Sequence, residues 1–220
     1  MDQSNFGEIL LYVVALLFSV VFHECAHGWV ADRNGDPTAR LMGRLTLNPI
    51  PHLDPFGSIL LPALFLLSGS SFFFAYAKPV PVDVSQLNHP RSDGIKVALA
   101  GPGSNLLLGT LCAVAYGASA AFLGMEHALS QLFFIGLRVN VMLAIFNLLP
   151  VPPLDGSWLL DHTLRGNAYN TYRMLKPYGM FLLIGILLLP PVSYVLIRWP
   201  SGILIGWLLQ VSQAVAGMVS

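Results

Sequence analysis

Five stretches of this chain are long and apolar enough to cross a bilayer as helix, and that excludes most folds at once. They run over residues 9–30, 97–123, 129–150, 178–197 and 201–219. A span takes about 20 residues of helix. In lipid no water is at hand for backbone N–H and C=O groups, so a lone apolar run of this length must bond within itself as a helix. The expected fold class is therefore an all-α polytopic membrane protein with about five transmembrane helices. Charged residues make up 10% of the 220 positions, against about 25% in a soluble domain. That is too little charge to coat a globular surface of this size, so lipid must cover part of it.

A sixth apolar stretch, residues 56–77, is different. It contains Pro62 and a Gly69-Ser70-Ser71 break, so its unbroken parts are short. A re-entrant or membrane-surface hairpin is expected there, with Phe72-Phe73-Phe74 and Tyr76 suited to an interfacial belt. Residues 75–84, with Lys78-Pro79-Val80-Pro81-Val82-Asp83, read as a short extended segment and a candidate edge strand. Polar, turn-rich segments lie at 31–55, where Asn34-Gly35-Asp36-Pro37 signals a turn, and at 78–96 and 155–177. The first apolar run does not read as a secretory signal. Residues 1–8 carry Asp2 and Glu8 but no basic residue, and no small-residue cleavage site follows. We expect it to be retained.

Charge sets partners and orientation. A formal net charge of zero argues against nucleic acid as a partner. Nine of the eleven basic residues fall in the three polar segments, leaving only Arg138 and Arg198 elsewhere. If those segments are cytoplasmic, the N-terminus is outside and the first helix runs inward. That arrangement requires residues 56–77 to enter and leave on one side. Arg138 is expected to snorkel to the outer surface or to pair internally. Cys25 and Cys112 both lie in apolar runs and make no disulfide framework.

His23-Glu24-Cys25-Ala26-His27 carries the chemistry. On a helix, residues i and i+4 share a face, so both imidazoles can reach one ion. Glu24 sits about 100° round from His23, where its carboxylate can hold a water without ligating. Two neutral imidazoles suit Zn²⁺, which lowers the pKa of a bound water towards about 7. Glu24 would accept the proton as that water attacks a carbonyl. Ionisable groups within a span cost about 2.5–3.5 kcal/mol each, so three polar side chains in five positions argue for function.

A catalytic zinc takes a third protein ligand and keeps one position open. The candidates are Asp54, Asp155, Asp161 and, tied into a surface turn, Asp32 and Asp36. Asp155 is preferred. It follows an apolar helix through Asn147-Leu148-Leu149-Pro150 and then Val151-Pro152-Pro153-Leu154-Asp155-Gly156. The prolines prevent continued helix, and Gly156 permits close backbone approach. Asp155 must reach the depth of His23 and His27, so an even number of crossings must separate them. Residues 97–123 and 129–150 supply two, which again requires that 56–77 does not cross. Asp54 reads by default as a turn former before Pro55. Cys25 faces away from the His pair and is expected to pack. His52, His89, His127 and His162 are expected to be solvated, with His52 the one worth testing as a partner of the site.

On these residues the chain resembles the site-2 protease family of intramembrane zinc metalloproteases, peptidase family M50. His23-Glu24-Cys25-Ala26-His27 looks like the family's HExxH, and Asn147 to Gly156 looks like its NxxPxxPxDG segment. Gly101-Pro102-Gly103-Ser104-Asn105 is similar to its GPxxN motif, and Asn48 to Ser58 to the loop of compact members. The resemblance covers about residues 15–165. It implies regulated intramembrane proteolysis, with one Zn²⁺ per chain on His23, His27 and Asp155 and with Glu24 and Asn147 catalytic. Asn147 would hydrogen-bond the scissile carbonyl or its oxyanion. Asn105 would either position substrate backbone or pack the core. The implied partners are single-span membrane-protein substrates; the apolar runs and the charge bias lead us to expect a multi-pass protein of the cell membrane, in contact with the lipid bilayer, with the active site towards the cytoplasm. The chain has no room for the PDZ or CBS domains of larger members. It reads as one membrane-embedded domain over 1–220, with a catalytic core at about 9–165 and a C-terminal helical hairpin at 178–219.

Two other classes compete. A membrane metal transporter or sensor would need ligands strung across the bilayer, whereas here they cluster at one depth. A lipid-modifying metal enzyme of the desaturase or hydroxylase type would need many more than six histidines.

Overall fold

The computed structural model describes residues 3–60 and 77–219. Helix α1 (Gln3–Arg33) carries the HExxH on its C-terminal third. Helix α2 (Pro90–Leu123) opens with Pro at its first position and has Pro102 inside it. Its first turn is tied by Asp93, which accepts from the His89 N–H at 2.8 Å and pairs with Lys96 at 2.7 Å. Helix α3 (Ala128–Asn147) follows a short turn capped by Gly124 at φ 87°. Helices α1, α2 and α3 pack on one another.

After Pro150 the chain makes tight turns, Val151 N–H to Leu149 O and Leu154 N–H to Val151 O, and enters helix α4 (Asp155–Thr163) at Asp155 itself. Helix α4 lies against α2. Gly156 is needed there, because a Cβ would fall within 2.5 Å of the Leu149 carbonyl oxygen. Helices α5 (Gly166–Leu175) and α6 (Gly179–Leu188) follow, and then α7 (Trp199–Val219), which packs on α2 and α3. The main apolar cluster, Ala113, Leu137, Val141 and Leu208, sits where those three helices meet.

Four helical runs among the described residues are long and apolar enough to span a membrane: Gly7–Arg33, Pro90–Leu123, Ala128–Asn147 and Pro190–Val219. The C-terminal pair expected from the sequence is therefore divided differently. The break was expected near Pro200, between 197 and 201. Instead it falls at Leu189, which is extended at φ −96° and ψ 100°. The residue before a proline is pushed out of the helical region, and Pro190-Pro191 enforces this at Leu189. Pro200 lies inside the continuous helical run Pro190–Val219, directly after a π-helical turn over Tyr194–Arg198 that takes up the i−4 bond the proline cannot make, so the helix passes through it without a break. With 10 residues, α6 is about 15 Å long, half the hydrocarbon core.

Two further expectations concern residues 56–84. The hairpin at 56–77 lies mostly outside the described residues, but its flanks meet: Lys78 N–H donates to His52 O at 2.9 Å. Residues 77–83 form no strand. Prolines 79 and 81 have no N–H to offer a ladder, so Val80 supplies the only donor among these three residues. The three polar segments bond to one another. Asn88 N–H reaches Asn34 O, Arg44 reaches Lys78 O, and Arg91 reaches Thr163 O, each at 2.8 Å. They therefore lie together at one end of the helices.

Candidate metal centre

Three side chains distant in sequence converge at that end. His23 Nε2 lies 3.1 Å from Asp155 Oδ2, His27 Nε2 lies 3.3 Å from Asp155 Oδ1, and the two Nε2 atoms are 3.1 Å apart. Both histidines are buried, and the Asp155 side chain keeps 21% of its exposure. The helical i, i+4 spacing brings the imidazoles together. The proline-stiffened turn and the start of α4 aim the carboxylate at them.

The hydrogen bonding at the far side of each ring decides what the cluster can hold. His27 Nδ1 donates to Val97 O at 2.7 Å, and His23 Nδ1 donates to Asn105 Oδ1 at 2.6 Å. Each partner is an oxygen that can only accept. Both neutral rings therefore carry their proton on Nδ1 and turn a bare Nε2 lone pair inward. Asp155 Oδ2 is buried and receives no hydrogen bond. Three electron-pair donors within 3.3 Å and no proton between them require a positive charge. With protons on the imidazoles, burial pushes the Asp155 carboxyl up, but hydrogen bonds and charge from His23 and His27 outweigh it and bring it to about 2. With a metal, two imidazole nitrogens and a carboxylate oxygen form the three-ligand set of a catalytic zinc, with a fourth position open. The donor set fits zinc.

Gly101 on α2 lies directly under this cluster. A Cβ there would strike His27 Nε2 and come within 2.6 Å of His23 Nε2. A cavity of about 200 Å³ adjoins the cluster, lined by Glu24, His27, Pro79, Val80, Val82, Pro153, Leu154, Asp155 and Trp158. Glu24 thus faces the same space as His27 and Asp155 without joining the cluster. Its Oε2 accepts the Val80 N–H at 2.7 Å.

The remaining candidates are placed as follows. Asn147 Nδ2 donates to Leu143 O, one turn back on its own helix, at 3.0 Å. Asn105 is fully buried, and both ends of its amide are engaged. Asp54 accepts the Gly57 N–H at 2.7 Å, as a turn former does. Asp161 pairs with Lys176, Asp32 with Arg40, and Asp36 accepts the Asp83 N–H, so none of the three reaches the cluster. His52 is not solvated as expected but 1% exposed, with Nε2 2.9 Å from Thr46 O. Cys25 Sγ donates to the same carbonyl, on the side of α1 away from the cluster. Sequence reasoning passed over Asn140, which hydrogen-bonds Asn105. Its signal was available, since a polar side chain deep in an apolar helix is a functional candidate by default.

Fold and site together define a polytopic membrane protein with a cluster that could hold a zinc-type metal ion, built across helices α1 and α4. Comparison with known proteins completes the assignment. The model of peptidase family M50 matches residues 11–124 and 118–189, and the chain belongs to that family. It is 41% identical over 196 residues to "Putative zinc metalloprotease YwhC" of Bacillus subtilis, covering 86% of this chain and 84% of that one. It is 33% identical over 198 residues to "Putative zinc metalloprotease Rip2" of Mycolicibacterium smegmatis, covering 89% and 72%. The Rip2 of Mycobacterium tuberculosis strain H37Rv is 31% identical over 209 residues, covering 94% and 75%. No solved structure matches.

Proposed function

We propose that this chain is an intramembrane zinc protease that cuts peptide bonds in or near the transmembrane segments of single-span membrane proteins. The convergence of His23, His27 and Asp155 carries the proposal, and family membership supports it. These three residues hold the zinc, which when bound supplies Lewis acidity to polarise a carbonyl and acidify water. Glu24 takes the proton from the attacking water and returns it to the departing amine nitrogen. The cavity shared by Glu24, His27 and Asp155 gives that carboxylate access to the reacting atoms.

Asn147 donates to the oxyanion. Its present bond to Leu143 O is an i−4 back-bond to a carbonyl already used by the helix, so releasing it costs little. A helical substrate must unwind first, because its carbonyls are engaged in their own i−4 bonds. The three bonded polar segments hold nine of the eleven basic residues, which supports a cytoplasmic active site and an N-terminus outside. Residues 9–165 form the catalytic core on this reading, and 178–219 a helical extension.

Membranes of cells making the wild-type chain or Glu24→Gln are compared for membrane-protein fragments, with zinc measured in both purified proteins. Fragments should vanish in the variant while zinc stays near one per chain. Undiminished cleavage by the variant excludes this mechanism. Zinc flux into proteoliposomes that survives Glu24→Gln but not His27→Ala favours a transporter instead.

A further inference from the structure

The two histidines are oriented by different devices. His27 leans on a backbone carbonyl, Val97 O, which no substitution can delete. His23 leans on a side-chain amide, and an amide can turn over and present either oxygen or NH₂. Something must hold Asn105 with its oxygen towards His23.

The hydrogen bonds behind Asn105 do this. Its Nδ2 faces two oxygens, Ser19 O at 3.2 Å and Asn140 Oδ1 at 2.8 Å. Asn140 in turn donates from Nδ2 to Gly136 O at 2.8 Å. Both chains end on backbone carbonyls, which accept and never donate. Turning Asn105 over would set its oxygen against the Ser19 carbonyl. Turning Asn140 over would set its oxygen against the Gly136 carbonyl and its NH₂ against that of Asn105. Asn105 is fully buried and Asn140 is 3% exposed, so water cannot mend either mismatch. Only one arrangement leaves every group paired.

We propose that Asn105 and Asn140 are positioning residues, a buried amide relay across α1, α2 and α3 that holds His23 with its proton on Nδ1 and its Nε2 lone pair towards the metal. The proposal rests on the zinc reading of the site. It gives Asn105 a role beneath the cluster in place of contact with substrate. Outer partners of this kind typically change metal affinity about 10–100-fold. Asn140 acts one bond further away, so its loss should count for less than that of Asn105.

The test uses the full chain in detergent. The ring ¹⁵N shifts of His23 in the wild type report the tautomer directly. Zinc affinity is measured by chelator competition for wild type, Asn105→Leu, Asn105→Asp, Asn140→Leu and His27→Ala, with thermal unfolding of each. We expect an Nδ1–H tautomer in the wild type. Zinc affinity should fall about 10–100-fold in Asn105→Leu and by an intermediate factor in Asn140→Leu. Asn105→Asp keeps an acceptor for His23 Nδ1 but sets its other oxygen against Ser19 O and Asn140 Oδ1, so it should bind zinc more tightly than Asn105→Leu yet unfold at a lower temperature than the wild type. An Nε2–H tautomer in the wild type, or wild-type zinc affinity in Asn105→Leu, overturns the relay. If His27→Ala also binds zinc as the wild type does, the metal-site reading itself fails. If His27→Ala abolishes binding while Asn105→Leu leaves it unchanged, only the relay fails.

Discussion

The three-helix core and the C-terminal helices bury different chemistry. Helices α1, α2 and α3 enclose the hydrogen-bonded set Ser19, His23, His27, Asn105 and Asn140 beside apolar Val21, Val97, Leu137 and Val141. The residues from 166 onward enclose Leu183, Ile197 and Leu208, with Ser193, Ser201, Ser212 and Tyr172 as their buried polar groups. In a bilayer, apolar side chains gain nothing by leaving lipid for another helix, so association rests on close packing and on polar contacts. Polar contacts are numerous and interlocked in the core, and they specify one geometry. At α7 they are sparse: Ser212 Oγ donates to Ala113 O at 2.8 Å, and Trp207 is 67% exposed. The candidate metal centre sits where the specification is strongest.

Substitutions on the two sides should separate accordingly. The largest effect is expected from His27→Ala, which removes one of three donors and should take bound zinc from about one per chain to near zero, read by elemental analysis, with loss of proteolysis. Next comes Gly101→Ala. Its methyl would collide with both imidazoles, each held at its far nitrogen, so zinc affinity should fall at least about tenfold while helix content by circular dichroism is kept. Retention of full affinity there would show that the rings can move and that the core is less constrained than its bonds indicate. Ser212→Ala should cost only about 0.6 kcal/mol of stability in detergent and leave zinc affinity alone. The smallest effect is expected from Trp207→Leu, a lipid-facing change that should shift neither unfolding nor zinc binding. A loss of zinc in either C-terminal variant would break the contrast.

Much of the core was legible in the sequence because its signals are local. The i, i+4 spacing of His23 and His27 states its own geometry, and the run from Pro150 to Gly156 announces a stiff turn ending in a carboxylate. The C-terminal boundary was not legible. Two proline sites, 190–191 and 200, compete to break one apolar stretch, and the break falls where the preceding residue becomes extended. His52 misled for a related reason. A histidine in a polar segment looks solvated until that segment folds back on α1 and buries it.

The chain's membrane character and its candidate ligands follow from composition and spacing alone, because helical periodicity and the cost of charge in lipid act within a few residues. The sequence also singled out Asp155 as the preferred third donor, whereas tertiary structure alone decided how each imidazole is turned and that Gly101 leaves room beneath them. Those outcomes depend on hydrogen bonds between α1, α2, α3 and α4, and no spacing along one helix encodes what the neighbouring helix presents.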